Sequence, residues 1–270
     1  MEIFEAIFLG IVQGATEFLP VSSSGHLVLL PRIFGIGEAS LTEAIIAHVG
    51  TLLAVLYYFW KDVVGIVNSV LRGLMKGDPL GETESRLGWF IVLGSIPAGA
   101  AGLLFEDSFE TIFADPRWVA FFLLVTAVFL VMGERMLSGH KSFKEMSWLD
   151  AIIIGLFQMF ALFPGVSRSG STIAGALLRG LSRETAARYS FLMSIPVIAG
   201  AGLLGVVDLF SIPDLASQIP SMLIVLITSA LVGYVCIVFL MQWIKERSFY
   251  PFAIYVASFG ILYLAYSFVA

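Results

Sequence analysis

The chain has 270 residues, of which 59% are apolar, 15 are Lys or Arg and 20 are Asp or Glu. A soluble domain carries about a quarter charged residues, and the 13% found here could not cover its surface. The composition therefore indicates a polytopic membrane protein and excludes nucleic-acid binders, disulfide scaffolds and water-soluble enzymes. The single cysteine, Cys236, lies in an apolar run, so the sequence offers neither a disulfide framework nor a cysteine metal cluster.

The first residues do not read as a signal peptide. Glu2 and Glu5 stand where basic residues belong, and Gln13 and Glu17 interrupt the apolar stretch. Glu2–Leu19 instead predicts a helix, followed by a Pro-Val-Ser-Ser-Ser-Gly turn and a short helix over Ser22–Phe34. Three crossing segments follow: Leu41–Trp60, which carries Glu43 and His48, then Leu87–Phe105 and Trp118–Gly133. Trp148–Phe163 and Ser167–Leu178 repeat the layout of long helix, turn and short helix. Tyr189–Val207, Ser221–Ile244 and Phe249–Val269 complete six crossings. A bilayer needs about 20 helical residues, and the second helix of each pair is too short to span unaided. The expected fold is an all-α polytopic membrane protein with six transmembrane helices and two re-entrant helical hairpins.

The halves align. Gly10, Gln13, Ser22, Ser24 and Gly25 fall on Gly155, Gln158, Ser167, Ser169 and Gly170 at a constant offset of 145. Each half holds a hairpin and three crossings, and three is odd. The halves, about 1–135 and 146–270, are therefore expected to enter the membrane upside down relative to each other within one integral domain. Twelve basic residues fall on the side of the loops after the first, third and fifth crossings, against Arg32 and Arg117 on the other. This bias makes the first side cytoplasmic and brings the first hairpin in from outside.

The fifteenth basic residue, Arg168, lies in the second hairpin. An ionisable side chain at membrane depth costs about 2.5–3.5 kcal/mol on insertion scales, so the polar residues of the hairpins mark the candidate site. The first hairpin has Gln13, Thr16, Glu17, Ser22, Ser23, Ser24 and His26; the second has Gln158, Ser167, Arg168, Ser169, Ser171 and Thr172. Gln13 and Glu17 share a helix face and are candidate ligands of a hard cation such as Mg²⁺ or Ca²⁺. The segments Ser22–Gly25 and Ser167–Gly170 start helices, where free N–H groups favour anions, unless the serines serve only as N-caps. Arg168 adds a fork matched to phosphate, and His26 beside three serines suggests a nucleophile with its base. Glu43 is equally readable as a cap, and His48 is left open. Ser95-Ile96-Pro97 and Ser194-Ile195-Pro196 match at a different offset, 99, and are expected to break helices beside the site.

The motifs Gln13-Gly14-Ala15-Thr16-Glu17-Phe18-Leu19-Pro20-Val21-Ser22-Ser23-Ser24-Gly25-His26 and Pro164-Gly165-Val166-Ser167-Arg168-Ser169-Gly170-Ser171-Thr172 resemble those of the undecaprenyl-diphosphate phosphatase family, membrane proteins linked to bacitracin resistance. The resemblance covers nearly the whole chain. It implies hydrolysis of undecaprenyl diphosphate to the monophosphate and inorganic phosphate, assisted by a divalent cation, to recycle the lipid carrier of cell-wall synthesis. It implies catalytic roles for Glu17, Ser23, His26 and Arg168, with Ser23 as nucleophile. Substrate contacts are then expected from Gln13, Ser22, Ser24, Gly25, Ser167, Ser169, Gly170, Ser171 and Thr172. Where many relatives have Glu, this chain has Gln13, which cannot usefully accept a proton and leaves Glu17 or His26 as the base. The implied setting is the bacterial plasma membrane, with a prenyl diphosphate and membrane lipids as partners, no nucleic acid, and room for a homo-oligomer. The rival reading is a transporter or flippase of a phosphorylated lipid or anion, since inverted repeats with broken helices also characterise transporters.

Overall fold

The computed structural model describes residues 2–37, 39–105, 112, 114–137, 139–209 and 215–269. Among them are eleven helices and no strand. In chain order they are α1 Ile3–Phe18, α2 Ser23–Phe34, α3 Leu41–Tyr58, α4 Trp60–Lys76, α5 Thr83–Leu104, α6 Pro116–Arg135, α7 Trp148–Phe160, α8 Arg168–Leu178, α9 Arg183–Leu209, α10 Leu215–Trp243 and α11 Tyr250–Ser267. Six are long and apolar enough to cross a membrane: α3, α5, α6, α9, α10 and α11. These are the six crossings expected.

Caps set several of the boundaries. Asp115 accepts the Arg117 N–H and Pro116 occupies the first turn of α6, which lengthens that crossing to 20 residues. Ser40 and Glu43 form a reciprocal capping box at the start of α3, so Glu43 is a cap. The stretch after the first crossing, read from sequence as a basic connection, instead contains α4. Its Ile66, Ser69 and Gly73 are buried, and Ile66 and Val70 lie against Gly88 of α5. Trp60, Val64, Val67, Leu71 and Leu74 form an exposed apolar stripe on the same helix. Interleaved Lys61, Asp62, Arg72 and Lys76 hid this amphipathic pattern behind a count of charges.

Close approach of backbones holds the bundle together, because lipid supplies no hydrophobic drive between helices and packing must do so. A Cβ at Gly14 of α1 would sit 2.8 Å from the Ser229 carbonyl of α10. One at Gly155 of α7 would run into the backbone of Gly94 in α5, and one at Gly260 of α11 would sit 2.8 Å from the Ala120 carbonyl of α6. At the end of the molecule that carries the basic connections, two buried acids, Glu134 and Asp150, and the half-buried Asp62 tie helices together. Glu134 accepts from Arg183 at 2.8 and 2.6 Å and from the Phe249 N–H at 2.9 Å. Asp150 pairs with Arg179 at 2.7 Å, and Asp62 with Arg188 at 2.6 Å. Several of the basic residues counted for orientation are thus also structural.

The four helices of the two pairs, α1, α2, α7 and α8, contain 16, 12, 13 and 11 residues. At 1.5 Å per residue they reach about 17–24 Å, short of the roughly 30 Å hydrocarbon core. The two connecting turns meet inside the protein. Ser169 Oγ donates to the Leu19 carbonyl at 3.1 Å, and the Gly165 N–H donates to Ser24 Oγ at 3.2 Å.

Candidate active site

Both turns are built alike. Ser22 Oγ accepts the Gly25 N–H at 3.2 Å and lies 3.2 Å from Ser24 Oγ. Ser167 Oγ accepts the Gly170 N–H at 3.0 Å and lies 3.1 Å from Ser169 Oγ. The two serines that precede the helices are therefore N-caps, which start α2 at Ser23 and α8 at Arg168. Ser22 has φ 73°, the left-handed region that a non-glycine residue enters only when its surroundings hold it there.

Glu17, at the end of α1, is the centre of the site, and its side chain is 6% exposed. Oε1 accepts from Arg168 Nη2 at 2.8 Å. Oε2 accepts from Ser23 Oγ at 2.7 Å and from Gln13 Nε2 at 3.0 Å. The sequence-predicted nucleophile, acid and arginine thus form one connected cluster although 151 residues separate Glu17 from Arg168. A second Arg168 nitrogen, Nη1, donates to the Ser190 carbonyl at 3.3 Å, which aims the guanidinium.

This cluster borders a cavity of about 340 Å³. Glu17, Ser23, Ser24, Gln158, Ser167 and Arg168 supply its polar wall. The rest is mostly aliphatic and comes from Ala161, Leu162 and Val166 of the second turn, the N-terminal half of α3 and the C-terminal halves of α5 and α9. Ala98 and Val197, each directly after the proline of a Ser-Ile-Pro match, are on that wall, but α5 and α9 run through Pro97 and Pro196 without the expected break. His48 of α3 is there too, with Nε2 3.7 Å from Glu17 Oε2 and Nδ1 2.8 Å from the Ala44 carbonyl. A carbonyl can only accept, so Nδ1 donates and Nε2 is the nitrogen left beside the carboxylate. Sequence reasoning left His48 open; its signal was a lone imidazole in a crossing helix seven residues after a helix start.

Other expected residues stand behind the wall. His26, 1% exposed, is turned away from Ser23: Nδ1 lies 2.7 Å from the Ser22 carbonyl and Nε2 2.7 Å from the Tyr255 hydroxyl. Its ring stacks on Phe259 at 4.9 Å between centroids. The pairing of His26 with the serines as their base is not what this geometry provides, because both ring nitrogens already have partners. Thr172 Oγ1 bonds the Arg168 carbonyl and Ser190 Oγ, each at 2.7 Å, and Ser171 Oγ donates to the Arg168 carbonyl at 3.1 Å. Both brace the first turn of α8. Gly25 and Gly170 have given their N–H groups to the caps, and Ser169 bonds Leu19 across the tips.

Gln13 and Glu17 do not fit a resident divalent ion as a pair. The Gln13 amide nitrogen faces the carboxylate, as it must opposite an acceptor, so the amide oxygen is turned away and has no hydrogen-bond partner among the described residues. Nor do the described residues contain a group of three His, Cys, Asp or Glu side chains placed to hold a metal.

A hydroxyl on a buried carboxylate, a guanidinium on the other carboxylate oxygen and an aliphatic cavity beside them define a polytopic membrane protein with a phosphate-handling centre at the meeting point of two helical tips. Residues 6–262 match the family described as Bacitracin resistance protein BacA. An undecaprenyl-diphosphatase of Chlorobium phaeovibrioides is 42% identical over 275 residues, covering 98% of this chain and 96% of its own. One from Methanosphaera stadtmanae is 44% identical over 271 residues, covering 97% of each. One from Chlorobaculum tepidum is 43% identical, covering 97% of this chain and 95% of its own. The chain belongs to the bacitracin resistance protein family.

Proposed function

We propose that this protein hydrolyses undecaprenyl diphosphate to undecaprenyl phosphate and inorganic phosphate. The observation that carries the reading is the Ser23–Glu17–Arg168 cluster, with distances of 2.7 and 2.8 Å, at the edge of an otherwise aliphatic cavity. The diphosphate sits against Arg168 while the prenyl chain follows the aliphatic wall. Ser23 Oγ attacks the terminal phosphorus and its proton passes to Glu17. The bond from that phosphorus to the bridging oxygen breaks, and undecaprenyl phosphate leaves. Water then cleaves the phosphoserine, releasing phosphate and restoring the hydroxyl. Arg168, held in place by Ser190 and Glu17, stabilises the charge that develops on the transferred oxygens.

The protein works in the bacterial plasma membrane with the cavity on the outer side, the two short-helix pairs acting as re-entrant hairpins from opposite faces. Support comes from α3, α5 and α9, which line the cavity with the helix ends opposite the twelve basic residues. The test is phosphate release from undecaprenyl diphosphate in detergent, which abolishes transport across a bilayer but not hydrolysis. Wild type should turn over, and Ser23→Ala should lose both turnover and the phosphoserine trapped by acid quench. Substantial turnover by Ser23→Ala would replace the covalent route with direct attack by water, and no release by wild type would favour a carrier.

A further inference from the structure

The cluster that makes this site a phosphatase centre also leaves it without a place for a metal ion. Glu17 is the one Asp or Glu on the cavity wall among the described residues, and donors from Arg168, Ser23 and Gln13 occupy both its oxygens. An ion bound to it would either displace the guanidinium, leaving Arg168 with 14% of its side chain exposed and no counter-charge, or sit beside that cation. Hard divalent ions take six or more oxygen ligands, and Gln13 has turned its oxygen elsewhere.

The charge balance of the cavity points the other way. Arg168 and Glu17 cancel, whereas a diphosphate ester carries at least about two negative charges near neutrality. Moving that charge into a mostly aliphatic cavity without counter-ions is unfavourable. Mg²⁺ usually keeps several waters when it binds phosphates, so an ion that arrives on the diphosphate needs no protein ligand set of its own.

We infer that Gln13 and Glu17 form no resident site for a divalent cation, and that such an ion reaches the cavity only bound to the diphosphate. The inference rests on the phosphatase reading. The probe is Mn²⁺, followed by electron paramagnetic resonance on the purified full chain in detergent, with and without a farnesyl methylenediphosphonate. Mn²⁺ alone should show no bound ion at about millimolar concentration. Adding the diphosphonate should give about one bound Mn²⁺ per protein above the signal of diphosphonate in detergent. Glu17→Gln should retain that bound ion. Saturable binding of Mn²⁺ alone that disappears in Glu17→Gln would overturn the inference, as would a diphosphonate that inhibits competitively yet brings no Mn²⁺. Phosphate release by the same preparation keeps the two readings apart. Release together with Mn²⁺ held by the protein alone refutes only the route of the cation, and no release refutes the activity and this inference with it.

Discussion

Glu17→Gln changes the shape of the site least and its chemistry most. The carboxylate accepts from three side chains, and its side chain is 6% exposed while that of Arg168 is 14% exposed. Removing one partner of a buried ion pair costs about 3–5 kcal/mol. The lower end applies here, because Arg168 faces a cavity where water can reach it. The rate falls for a separate reason: an amide cannot take the proton of Ser23 Oγ, 2.7 Å away. Loss of a positioned base is worth about 10²–10⁴ in rate, or roughly 3–5 kcal/mol of barrier. Binding should move the other way, since neutralising Glu17 removes a negative charge beside the phosphates and frees a guanidinium nitrogen for them. Phosphate release over a range of substrate concentrations should therefore give a kcat lowered at least about 100-fold with KM unchanged or reduced. Melting in the same detergent should show a lower Tm. A kcat within tenfold of wild type, or a raised KM at unchanged kcat, would refute the assignment of Glu17 as proton acceptor and make it a ground-state contact.

His48→Ala should lower kcat/KM by about tenfold, the value of one hydrogen-bonded contact, in the same phosphate-release assay; an unchanged ratio would leave His48 a wall residue. Tyr255→Phe removes the hydroxyl 2.7 Å from His26 Nε2 and should cost about 1 kcal/mol of stability, seen in thermal melts, with kcat within tenfold of wild type. A loss beyond about 10², the range of a lost acid or base, would bring His26 into the chemistry. Glu134→Ala leaves Arg183 and the Phe249 N–H without their acceptor and should destabilise by about 3–5 kcal/mol, read as a fall in Tm while KM holds.

Helix length and charge placement made the crossings legible, because each depends on a run of neighbouring residues. Even Trp118–Gly133, which looks short as an apolar run, follows once Asp115 and Pro116 are recognised as a helix start. α4 escaped because its apolar residues are spaced around a helix among Lys, Arg and Asp, and a search for uncharged runs passes over that pattern. Which polar residues cluster was legible for Glu17, Ser23 and Arg168, since burial of charge has to be compensated wherever it occurs. Where each side chain points was not. The ring of His26, three residues from Ser23 in sequence, goes to Tyr255, 229 residues away. His48 comes to Glu17 only because α3 packs beside the first tip.

The repeat explains both why the site forms here and why its two halves differ. At the offset of 145, Ser23 corresponds to Arg168, and each is the first residue of the short helix after its turn. The same cap, a serine oxygen on the N–H three residues on, delivers both to the cavity. One tip has a hydroxyl at that position and the other a guanidinium, and the carboxylate between them belongs to the first half alone, since Glu17 corresponds to Leu162. Two copies of the first tip would place two hydroxyls and two carboxylates around a diphosphate with no guanidinium to receive it. In the proposed mechanism, two copies of the second would bind phosphate without a nucleophile or a base. Divergence of the residues displayed at one shared position is what turns the meeting of two helical tips into a site for phosphoryl transfer.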